Sequence, residues 1–145
     1  MDVIANEIRP DLILWTGDNP PHNIYQDTSK EILAVTQAFV DLIQLKFNYT
    51  IPVYPAVGNH EEYPNDQFNL FENKTSGKWF LKTIGDIYKP LLTVEAYQSF
   101  ISYGYYSMLH PNSNLRVISM NCLLCDTFNL FLLKNPTDPL NQVNI

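Results

Sequence analysis

Leu12-Ile13-Leu14-Trp15-Thr16-Gly17-Asp18-Asn19-Pro20-Pro21 decides how the chain is read, because a short apolar run gives way at once to a cluster of turn formers. A continuous apolar run of this length, bounded by turn residues, predicts a strand buried on both faces, as in a parallel sheet. Pro52-Val53-Tyr54-Pro55-Ala56-Val57 repeats the pattern and stops at a second polar turn, Gly58-Asn59-His60-Glu61. Pro55 lacks an N–H and counts against a fully paired central position. Between the two runs, Thr28 and Glu31 fit a capping box, and Ile32, Val35, Phe39, Leu42 and Ile43 recur at helical spacing down to Phe47. Strand, turn, helix, strand, turn is a βαβ unit with parallel strands and a right-handed crossover.

Working outward, a polar loop over 62–77 precedes helical stretches at Lys78–Tyr88 and Val94–Phe100. Strands at Tyr105–Leu109 and Leu115–Met120 flank a Pro-Asn-Ser-Asn turn and predict a hairpin, and the tail from Asn135 is rich in Pro, Asn and Asp. The fold class is therefore α/β, in a single domain over 1–145. The chain has 145 residues, 46% of them apolar and 17% charged, which favours a packed core over disorder. A net charge of −6 with no basic run argues against a nucleic acid polymer as partner. No stretch approaches the roughly eighteen apolar residues of a transmembrane segment. Met1–Glu7 has neither the basic leader nor the apolar centre of a signal peptide and reads as the last turns of a helix. Two sequons, Asn48-Tyr49-Thr50 and Asn73-Lys74-Thr75, point to a secreted or lysosomal glycoprotein. Cys122 and Cys125 form a lone Cys-x-x-Cys with no second pair and no nearby His, which argues against structural zinc. One or both could pair with cysteines outside this sequence.

In open α/β sheets ligands gather at the carboxyl ends of the strands, where both polar turns fall. Their residue types suit a two-metal hydrolase. A carboxylate such as Asp18 can bridge two divalent ions, Asn59 can add a neutral oxygen ligand, and His60 can protonate a leaving alkoxide. Gly-Asp-Asn-Pro is also a good turn on its own, with Asp18 merely capping local amides. What favours the functional reading is the pairing, each turn closing an apolar strand of one crossover unit.

Gly17-Asp18 followed by Gly58-Asn59-His60-Glu61 resembles the second and third motifs of the calcineurin-like metallophosphoesterases. Trp15-Thr16-Gly17-Asp18-Asn19-Pro20-Pro21-His22 and Pro52 through Glu61 are similar to the flanks found in acid sphingomyelinase and its phosphodiesterase-like relatives. Arg116 through Asn121, Asn135 through Pro139, and the Asn73 sequon ahead of Trp79 also resemble segments of that family in order and spacing. The resemblance implies a partial metallophosphoesterase sandwich, the βαβ unit plus helices and a β-hairpin, lacking its N- and C-terminal strands. It implies a phosphodiester hydrolase using two divalent metals, zinc, on sphingomyelin or another phosphocholine lipid, or on a nucleotide. Asp18 would be the bridging metal ligand and Asn59 a ligand to one zinc. His60 would stabilise or protonate the leaving group and His22 would contact the substrate phosphate. Glu61 either orients His60 or is an exposed carboxylate. Cys125 matches a family cysteine paired with one further along, giving a disulfide candidate whose partner lies past Ile145; Cys122 has no counterpart. His110 matches no motif and reads as a loop histidine.

The family's site also uses an upstream Asp-x-His and, downstream, a Gly-His and a Gly-His-x-His, and none of these occurs among the chain's three histidines. One carboxylate and one amide underligate two zinc ions, each wanting about four ligands. The expectation is a truncated site, inactive as an isolated chain. The alternatives are a non-catalytic secreted glycoprotein remnant, an incomplete version of a longer coding sequence, or a phosphomonoesterase of the same superfamily.

Overall fold

The computed structural model describes residues 1–22, 27–69 and 76–144. The βαβ unit is present. Strand β1 (Ile13–Trp15) pairs in parallel with β2 (Val53–Pro55), in the register Ile13 to Val53, Leu14 to Tyr54 and Trp15 to Pro55. Helix α1 (Ser29–Phe47) connects them, and its first turn carries the capping box read from the sequence: the Thr28 side chain accepts from the Glu31 amide while the Glu31 carboxylate accepts from Thr28. The helix ends at Asn48 in the left-handed conformation, with its N–H donating to the Gln44 carbonyl.

Helix α2 (Ser76–Tyr88) and α3 (Val94–Tyr103) follow, then an antiparallel hairpin of β3 (Tyr106–Leu109) and β4 (Arg116–Ser119). The hairpin forms a second two-stranded sheet rather than extending the first. The two sheets meet at Pro55, whose carbonyl accepts from the Tyr106 hydroxyl at 2.9 Å and the Ser119 hydroxyl at 3.2 Å. Hydroxyls thus satisfy a backbone acceptor beside a proline that cannot donate to a ladder. One core joins the layers: Trp15, Val40, Ile43, Val53, Phe80, Ile84, Tyr88, Phe100, Tyr106 and Leu123 are all buried in it. Each such side chain contributes about 1.5–3 kcal/mol on burial.

Two expectations need correction. Strand β1 is not buried on both faces, because Leu14 is 63% exposed. Its outer side opens on a groove of about 540 Å³ lined with Met1, Ile4, Phe39 and Leu42. On α1 the buried stripe runs Ile32, Thr36, Val40, Ile43, Phe47, so the buried face is turned relative to the apolar pattern and leaves Val35 exposed. Thr36 joins the interior because its hydroxyl donates to the Ile32 carbonyl one turn back.

Candidate functional site

Because β1 and β2 are parallel and in register, both chains leave the sheet at the same end. This brings Gly17–Asn19 against Gly58–Glu61. Gly17 adopts a left-handed φ of 81° and Asp18 follows at 58°, a conformation Asp tolerates better than most residues. A Cβ on Gly17 would collide with the Gly58 amide, and a Cβ on Gly58 would collide with the Asp18 carboxylate. Two glycines are needed for the approach, not merely for a turn.

The join is made by Glu61. Its carboxylate is buried, and Oε2 accepts from the amides of Asp18 at 2.9 Å and Gly58 at 2.8 Å. Oε1 accepts from the Asn19 amide at 2.7 Å and the Asn19 side chain at 2.9 Å. The exposed-carboxylate reading of Glu61 is corrected: the residue is buried, and its bonds go to the two turns. Asn19, singled out in the sequence only as a turn former, is held from the other side by the Trp15 indole N–H, which donates to its Oδ1 at 3.0 Å.

The residues expected to do chemistry are brought together on this rim. Asn59, His60 and Glu61 form a short 3-10 turn, and the His60 amide donates to Asp18 Oδ1 at 3.2 Å. The His22 and His60 rings meet edge to face with centroids 4.4 Å apart. His60 is buried, and its Nδ1 has no hydrogen-bond partner. Behind the turn lie three more carboxyls that the sequence reading passed over. Glu62 is buried; burial first, and then the charges of Asp66 and Asp126, push its carboxyl up to about 9, against a smaller opposing pull from the Gln67 backbone N–H. Asp66 is raised for the same leading reason, with Asp126 next. The Cys122 thiol sits at the edge, donating to the Val57 carbonyl at 3.5 Å, and is raised by burial and by the nearby Asp18.

Elsewhere, Asn48 is exposed at the end of α1, whereas Asn73 lies outside the described residues. Cys125 is a free, exposed thiol whose Sγ donates to the Cys122 carbonyl. His110 is a strut at the hairpin turn, its Nδ1 2.8 Å from the Tyr54 hydroxyl. Among the described residues no three His, Cys, Asp or Glu side chains come together as a metal site. Asp18 and Asn59, the two expected metal ligands, stand on facing turns, and the Asn59 side chain bonds to the Asp66 carboxyl. No helix of the described residues is long and apolar enough to cross a membrane.

A calcineurin-like phosphoesterase family model matches residues 1–139, so the chain belongs to that family, whose chemistry implies divalent metals. Particular relatives narrow the kinship. The chain is 37% identical over 135 residues to a sphingomyelin phosphodiesterase of Bos taurus, a match covering 92% of this chain and 21% of that protein. It is 35% identical over 133 residues to sphingomyelin phosphodiesterase B of Dictyostelium discoideum, covering 92% and 20%. It is also 35% identical over 132 residues to a cyclic GMP-AMP phosphodiesterase of Homo sapiens, covering 90% and 28%. The chain spans about a fifth to three-tenths of the length of these relatives.

Proposed function

We propose that this chain supplies one wall of a zinc-dependent phosphodiester hydrolase of the sphingomyelinase type. The observation that carries the reading is the Asp18 carboxylate bonded to the His60 amide, with the His60 ring against His22. Asp18 and Asn59 hold metal in this reading; when bound, divalent ions neutralise phosphate charge and activate the attacking water. His60 gives its proton to the departing alkoxide, and His22 contacts the phosphate from the facing turn. The substrate is a phosphodiester, a phosphocholine lipid or a nucleotide, because the names of the relatives divide between those two classes. A secreted or lysosomal location is supported by the exposed sequon at Asn48; loss of mass on endoglycosidase treatment, abolished by Asn48→Gln, is the expected result.

The test is a chimera in which this chain replaces the matching stretch of the Bos taurus relative. The chimera is expected to hydrolyse a phosphodiester. Asp18→Ala loses bound zinc, whereas His60→Ala keeps it and lowers kcat about 100-fold or more. A folded chimera whose metal content ignores Asp18→Ala and whose rate ignores His60→Ala overturns the reading. A non-catalytic glycoprotein on the same fold is the second reading, favoured by the lack of a three-ligand metal cluster among the described residues.

A further inference from the structure

We infer that Glu61, tied to the core through Asn19 and Trp15, is a positioning residue that sets the place of Asp18 relative to Asn59 and His60. Starting from the core, the buried Trp15 indole holds the Asn19 carbonyl oxygen, which fixes the Asn19 amide nitrogen toward Glu61. Glu61 in turn collects four N–H donors from positions 18, 19 and 58, which lie up to 43 residues from it in sequence. Among the described residues Glu61 makes no ion pair with a basic side chain, so these four N–H groups are what its buried carboxyl oxygens meet.

Two consequences follow for Asp18. Its left-handed backbone, uncommon outside glycine, Asn and Asp, has its N–H tied to Glu61. Its carboxylate, instead of turning back to cap its own turn, accepts from His60 across the gap. The arrangement also explains why Gln is not a harmless substitute at 61. Each oxygen already accepts two N–H groups, so whichever way the amide flips, an NH₂ faces two donors. That the rim so positioned is a metal and phosphate site rests on the function proposed above.

Amide hydrogen exchange and ¹H–¹⁵N spectra of this 145-residue chain, recorded without metal or substrate, test the positioning. In the unsubstituted chain the amides of Asp18, Asn19 and Gly58 are protected. Glu61→Gln is expected to speed their exchange about tenfold or more while Val40 and Ile43 in α1 keep theirs. Asn19→Asp, which leaves an acceptor for Trp15 but turns a carboxylate toward Glu61, is expected to shift the same three signals and spare the Trp15 indole N–H. If Glu61→Gln does not fold, Asn19→Asp alone decides. Unchanged protection at 18, 19 and 58, or a rise shared equally by α1, overturns the inference. Because the measurement is blind to hydrolysis, it fails independently of the phosphodiesterase reading.

Discussion

Glu61 and Glu62 are neighbours, each 1% exposed, and they lead opposite lives. Glu61 receives four N–H donors from two turns. Glu62 has only the Gln67 backbone N–H near its carboxyl, faces Asp66 and Asp126, and is driven toward the neutral acid. Burial by itself therefore says little about a carboxyl group. What decides is whether fixed dipoles replace the water that burial removed. Buried side-chain atoms without a close partner among the described residues fall at positions 60–66, His60 Nδ1 on the rim included, whereas the Glu61 carboxylate on the same rim is fully engaged.

The comparison breaks most violently at Glu61. Besides the local loosening described above, Glu61→Gln is expected to lower unfolding stability by about 3–4 kcal/mol in urea titration, since it sets donors against donors in a buried place. A loss under about 1 kcal/mol would mean that the four bonds merely decorate a rim held by packing.

Glu62 sharpens the comparison from the other side, through pH. Its folded-state pKa, about 9, lies above the ordinary 4.5, so between those values the native chain binds more protons than the unfolded chain. Stability is then greatest near or below pH 4.5 as far as this group is concerned, and is lost as pH rises toward 9. Asp66, also raised, acts in the same direction. Glu62→Gln removes the titration while keeping the shape, and at pH 6.5 the variant is expected to be about 2–3 kcal/mol more stable than the parent, with the gap widening as pH rises. The measurement is the urea midpoint from pH 5 to 8.5. A variant with the parent's full slope would assign the loss elsewhere.

These effects mark where sequence reading stopped. The two turns, the capping box, the helices over 78–88 and from 94, and the hairpin were all legible, because each rests on residues adjacent in the chain or one helical turn apart. Glu61 was legible as part of a motif but not in its role, since its bonding partners lie up to 43 residues away and a carboxylate in a turn carries no local sign of what it will accept. Glu62 lay in what read as a polar loop; its burial comes from the packing of that loop against the segment from Leu123 to Asn129, where the Asn129 side chain donates to the carbonyls of Phe68 and Leu123. Leu14 failed in the opposite sense. Periodicity showed an apolar run but could not say that its outer face opens on a groove.

The capping box of α1 supplies the smallest and most controlled departure. Thr28 and Glu31 exchange the same kinds of bond as Glu61 makes, with a carboxylate accepting a backbone N–H at 2.9 Å, but they do so at the exposed end of a helix. Hydrogen bonding from Thr28 holds the Glu31 carboxyl below its usual range, so this contribution is present at neutral pH and fades as pH falls through the lowered value. Water can replace the Thr28 oxygen there, so Thr28→Ala is expected to lower stability by only about 1 kcal/mol, read as a small shift in the urea midpoint. If the exposed box proved as costly to remove as Glu61, solvent access would not be what separates the sites, and the contrast between Glu61 and Glu62 would need a cause other than the donors each one meets.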